Sequence, residues 1–183
     1  MAASDSKSLP SLGFLTVVQR TDGSLVGGYL VLSPIARPLE FHCTSPVEAN
    51  RAQQILYGRT LRPYLCGEQI GRALVDRAQH RPLFVCTDDP DILPLRGDQS
   101  PPVVCVLGPA DPDTATDGMP HHPSTAVTIG AEFQWGPYRA WVHPQHTADQ
   151  TTLQTHWQQH LVDFDLCEPF ERIRQAIQET QAG

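Results

Sequence analysis

Apolar and polar side chains alternate from Leu39 to Thr44: Leu39, Phe41 and Cys43 fall on one face of a strand, and Glu40, His42 and Thr44 on the other. Upstream, Gly13 to Val18 reads as a strand, Thr21-Asp22-Gly23 supplies turn residues, and Ser24 to Leu32 returns as a second strand. Gly27-Gly28 lies inside that strand, where a glycine pair predicts a bulge or a close backbone approach. The three stretches together predict an antiparallel meander.

The period then lengthens. Ser45 and Glu48 have capping-box spacing and Pro46 suits a first helical turn, which predicts a helix over 46–57 that Gly58 stops. Residues 60–66 read as a short apolar link broken by Pro63, and Ile70, Ala73, Leu74 and Ala78 form the apolar stripe of a second helix over 67–79. Leu83 to Thr87 and Val103 to Leu107 are short apolar runs of the kind buried strands show, with a single helical turn after Asp88 between them. Residues 126–129, 132–135 and 138–143 read as further strands, the last two joined across Gly136-Pro137. Leu153, Trp157 and Leu161 predict a helix over 149–163, and Asp165 with Glu168 opens another that runs through Phe170, Ile173 and Ile177 to Thr180.

The expected fold is α+β, with a mainly antiparallel sheet that begins with the N-terminal three-stranded meander, takes its helices on one face and ends in two C-terminal helices. A single domain is expected over 12–183, after a disordered terminus at 1–11. Residues 108–124 carry almost no large apolar side chain and read as a flexible insert.

Charge and composition narrow the function. The formal net charge is −7, and Arg20, Arg37, Arg51, Arg59, Arg62, Arg72 and Arg77 are spread along the chain without a basic stripe, so no nucleic-acid partner is expected. No apolar run reaches transmembrane length and no leader-like apolar stretch follows Met1, which predicts a cytoplasmic protein with no membrane partner. The five cysteines are odd in number and scattered, and Cys86 and Cys105 sit in apolar runs, the pattern of buried reduced thiols.

Three groups of residues carry candidate chemistry. His143 and His146 stand three apart after a strand, and His156 and His160 stand four apart on a predicted helix, so the four could close a zinc site. The sequence His-Trp-Gln-Gln-His departs from a metalloprotease helix, because Trp157 stands where the glutamate would be. Glu40, His42 and Thr44 form a row in which the imidazole, beside a carboxylate, could act as a general base; the alternative is a solvent-facing or helix-covered sheet face whose polar groups pair with each other. Asp88, Asp89 and Asp91 follow a buried strand, where carboxylates can hold Mg²⁺, although Asp89-Pro90 also reads as a helix cap followed by a first-turn proline. His121-His122 lies between prolines and reads as solvated, and no phosphate-loop motif is present. The function these features predict is a protein-interaction or regulatory module with a protein partner or self-association, as a homodimer, and with no cofactor. The alternative is a zinc-type hydrolase built on the C-terminal histidines.

Overall fold

The computed structural model describes residues 10–97, 100–109, 130 and 132–182. Seven strands form one mixed sheet: β1 (Leu12–Gln19), β2 (Leu25–Leu32), β3 (Pro38–Cys43), β4 (Val85–Thr87), β5 (Val103–Pro109), β6 (Glu132–Trp135) and β7 (Tyr138–Val142). Their spatial order is β3-β2-β1-β4-β5-β7-β6. The predicted meander is present as antiparallel β1–β2 and β2–β3 pairs, but β1–β4 and β4–β5 are parallel, so the sheet is mixed rather than mainly antiparallel. The physical reason lies in the connections. A helical segment separates β3 from β4, and a 3₁₀ segment separates β4 from β5; crossovers of this kind return the chain in the same direction. Short, continuously apolar runs are also what parallel strands buried on both faces look like.

Helices cover both faces, not one. Alternation along β2 sends Val26, Leu30 and Leu32 to a first core, with Phe14, Cys86, Leu153, Phe170, Ile173 and Ile177. It sends Leu25, Tyr29 and Val31 to a second core, with Leu65, Ile70, Leu74, Ile92 and Leu95. Gly27 and Gly28 lie between, one on each face. A Cβ on Gly27 would stand 2.2 Å from Ile70, and one on Gly28 would stand 2.3 Å from Ile173. The pair marks close approach, as expected, and does so on both sides at once.

The helical layer over the second core consists of α1 (Arg51–Tyr57), a 3₁₀ turn (Gly58–Thr60), α2 (Leu61–Pro63), a π-helical stretch (Tyr64–Gly71) and α3 (Arg72–Arg77). The first helix begins later than Ser45 and Pro46 predict. Val47 exchanges two backbone hydrogen bonds with Leu25 (2.8 and 2.9 Å), which holds the chain extended past the expected cap. Asn50 caps α1 instead, in a reciprocal box with Gln53, and Gly58 ends it at φ 51°. The expected break at Pro63 is absent: proline in a first turn lacks only a donor that has no helical partner there, so the helical path continues through it.

Over the first core lie α4 (Asp149–His156), a π-helical stretch (Trp157–Leu161) and α5 (Glu168–Ala182). Asp165 Oδ1 accepts from the amide of Cys167 at 2.9 Å and so caps α5, although Glu168 binds Arg172 rather than closing the box. The predicted strand 126–129, His121-His122 and all of the insert beyond Pro109 lie outside the described residues.

Candidate functional site at the carboxyl edge of the sheet

Strand order reverses between β1 and β4, so the carboxyl ends of these two parallel strands open a crevice where open α/β sheets bind ligands. Asp88 is the first residue beyond β4. Burial pushes its carboxyl up; a hydrogen bond to Thr16 and the Arg174 guanidinium pull the other way without cancelling it. Arg174 comes from α5, forms an ion pair with Asp88 and donates to Glu171 Oε1 at 2.6 Å. Beside this pair lies a cavity of about 410 Å³ lined by Asp88, Leu107, Gly108, Cys167, Glu171 and Arg174, among others.

On the opposite side of the sheet, the same edge is built differently. Asp89 caps the Pro90–Leu95 turn by accepting from the amide of Asp91 at 2.9 Å, as the Asp89-Pro90 dipeptide predicts. Arg62 reaches down from α2, with Nη2 2.7 Å from Asp89 and Nε 2.8 Å from Asp91. The Arg62 side chain is 14% exposed and that of Asp91 1%, so this is a buried charge triad. Of the two readings of these aspartates, the helix cap is the one present, and the three carboxylates do not converge: Asp88 faces Arg174, whereas Asp89 and Asp91 face Arg62. A second cavity, of about 440 Å³, opens beside Arg62 between the β1–β2 turn, Val47 to Ala49 and α2.

The Glu40, His42 and Thr44 row faces the second helical layer. Glu40 accepts from His42 Nε2 at 2.5 Å, from His80 Nδ1 at 2.8 Å and from the amides of Gln79 and His80 at 2.9 and 3.0 Å. Burial alone would raise its carboxyl, but these four donors outweigh it and bring it to about 2. Thr44 takes no part in this cluster; its Oγ1 accepts from the Gly27 amide at 3.0 Å, extending the β2–β3 pairing by one residue. The arrangement is a carboxylate shared by two imidazoles, and it ties edge strand β3 to the turn after α3.

The C-terminal histidines form two pairs. The rings of His143 and His146 lie 5.7 Å apart, and those of His156 and His160 6.4 Å apart. Burial and the neighbouring His160 hold His156 below the usual imidazole range. Among the described residues no group of three or more histidine, cysteine or acidic side chains is placed to hold a metal ion, so the proposed four-ligand zinc site is not assembled.

No family model matches the chain, and no curated protein matches it. Solved structures with some similarity to the chain include the following two. The catalytic domain of human endonuclease V covers 96% of this chain and 85% of its own, at 12% identity and a TM-score of 0.48. The endonuclease V of Bacillus subtilis covers 52% of this chain and 44% of its own, at 11% identity and a TM-score of 0.36. Both neighbours are nucleases. The expectations of a protein-interaction or regulatory module with a protein partner or self-association, and of no nucleic-acid partner, differ from what the names of these two proteins say and are not carried further; the zinc hydrolase on the C-terminal histidines is set aside because those histidines do not assemble.

The charge is also less evenly spread than the sequence suggests. Residues 51–81 carry six arginines against two carboxylates, whereas residues 149–182 carry six carboxylates against two arginines. Arginines that look scattered in sequence are gathered by folding into one layer, and Arg51, Arg59, Arg72, Arg77 and Arg81 are exposed there. The acidic total of −7 hides a basic face and an acidic one. Arg62, Arg174 and His80, all central to these clusters, escape sequence reasoning because each partner lies 27 or more positions away. Among the described residues no helix is long and apolar enough to cross a membrane.

Proposed function

We propose that the chain processes nucleic acid at the carboxyl edge of β1 and β4. The observation that supports this reading most directly is the position of Asp88. It is a largely buried carboxyl at the strand-order reversal, held above the usual carboxylate range and paired to Arg174 beside an open cavity. A buried carboxyl set beside a guanidinium at this edge puts a proton-transferring group and a cation next to each other, the two functions that departure of an alkoxide from phosphorus calls for. Arg174 could meet a phosphate only by exchanging Glu171 or Asp88 for it, and the basic layer supplies the sequence-independent attraction of a polyanion.

The test is incubation of the purified protein with end-labelled single-stranded and duplex DNA and RNA, with and without added divalent cations, beside Asp88→Asn and Arg174→Ala. The expected result is binding that weakens with salt, and strand cleavage that Asp88→Asn abolishes while binding persists. A protein that neither binds nor cleaves any of these substrates overturns the reading.

A further inference from the structure

α1 is unusual among the helices of this fold because it buries none of its seven residues. Ile55 is 65% exposed and Leu56 82% exposed, at adjacent positions near its C-terminal end, followed by the partly exposed ring of Tyr57. A short helix gains its stability from packing, and two neighbouring large aliphatic side chains in water gain nothing for the fold. Hydrophobic burial therefore does not account for them.

Basic side chains flank them, and the nearest carboxylates along the chain are Glu48 and Glu68. From Ala49 to Gly67 the chain contains Arg51, Arg59 and Arg62 and no acidic residue, within a protein whose net charge is −7. Arg51 and Arg59 flank the apolar group and are exposed. Tyr57 is held in place: its ring stacks on that of Tyr64 with centroids 4.2 Å apart and planes 24° from parallel. Gln54, one residue before Ile55, lines the cavity that opens at the carboxyl edge beside Arg62. The surface thus combines apolar side chains, an ordered aromatic ring and flanking guanidinium groups beside the Arg62 cavity, on the other side of the sheet from Asp88 and Arg174.

The geometry points to α1 as a contact surface for unpaired nucleotides, with bases resting on Ile55, Leu56 and the edge of Tyr57 and the phosphates drawn to Arg51 and Arg59. This inference rests on the nucleic-acid reading above and names the strand form that the site accepts. The charge pattern favours the occupant: Arg51 and Arg59, both exposed on either side of the apolar group, complement a polyanion. The apolar centre decides between strand forms. Duplex backbones present phosphates and sugars, whereas only unpaired bases expose π-faces to apolar and aromatic side chains.

Fluorescence anisotropy with labelled oligothymidylate and with a fully paired hairpin of equal length tests this, using the full chain. The Ile55→Ser and Leu56→Ser double variant should fold normally, because neither side chain is buried, and its melting curve checks that. It should lose about tenfold or more in affinity for the single strand, the effect of removing apolar support from one or two bases, and should hold the hairpin as wild type does. Arg51→Gln with Arg59→Gln should weaken binding of both and flatten the salt dependence. Unchanged single-strand affinity in the serine variant overturns this inference and leaves the nucleic-acid reading standing. Failure of the wild type to bind either probe overturns both. Dimers in sedimentation that the serine variant dissociates would assign the patch to a second copy of the chain and overturn the inference as well.

Discussion

Glu40 Oε2 lies 2.8 Å from His80 Nδ1, while the other oxygen of the same carboxylate lies 2.5 Å from His42 Nε2. One acidic side chain thus joins an edge strand to a turn 40 positions later in the chain.

This junction predicts a pH dependence. Glu40 titrates at about 2 in the folded protein, against 4.5 for an unperturbed glutamate, so the unfolded chain takes up its proton first as pH falls. Its contribution is fully present above about 4.5 and is lost as pH falls towards about 2. Glu40→Gln should cost about 1.5–3 kcal/mol at pH 7, the usual scale for hydrogen bonds to a charged group. Urea midpoints of wild type and variant should converge between pH 4.5 and pH 2. A gap that stays constant down to pH 2 would contradict the role given to Glu40.

Arg62 predicts a larger effect. It is the shared partner of two nearly buried carboxylates, Asp89 and Asp91. Arg62→Met keeps most of the volume but leaves both charges uncompensated, so about 3–5 kcal/mol should be lost, the range for breaking a buried pair from one side. Thermal melting measures it. Restoration by Asp89→Asn with Asp91→Asn in the same chain would attribute the loss to unpaired charge rather than to packing.

The register of β3 can be checked from both faces. Phe41 packs on the first core and His42 faces the other side, as the alternation predicts. Phe41 is half-buried on an edge strand, so Phe41→Ala should cost about 2 kcal/mol rather than the 3–5 kcal/mol of a fully enclosed phenylalanine. His42→Ala should cost about 1 kcal/mol, since Glu40 keeps its other donors. Denaturant unfolding of the two variants gives the comparison, and an inverted order would place the wrong face inward.

Thiol labelling should separate the cysteines. Cys66, Cys86 and Cys105 are buried, and burial pushes the Cys66 thiol up to about 12. Cys167 is half-buried, and desolvation holds it at about 11. A maleimide at pH 7.5 should reach Cys43 first and Cys167 more slowly. It should modify the other three only in denaturant, as read by peptide mass spectrometry.

What was legible in the sequence is what depends on neighbours along the chain. The alternation of Leu39 to Thr44 placed Phe41 and His42 on the correct faces, Gly58 marked a helix end, and Leu153, Phe170, Ile173 and Ile177 were recognised as core. What was not legible depends on partners far away. The direction of β4 follows from a crossover and not from the residues of β4 itself, and Val47 is kept out of α1 by Leu25. The Asp88–Arg174 and Arg62–Asp91 pairs join positions with no local pattern to betray them. The net charge misled for a related reason: a sum over the chain discards the segregation that folding creates.

Gly27 and Gly28 make the pairing of β2 self-checking. Shift that strand by one residue, and either Val26 arrives beneath Ile70 or Tyr29 arrives beneath Ile173, where even a single methyl has no room. A mispaired β2 could still form its ladder with β1, yet it could not be covered on both sides. Helix docking then acts as proofreading during folding: the two layers, each arriving from a different part of the chain, can close over the sheet together in one register only.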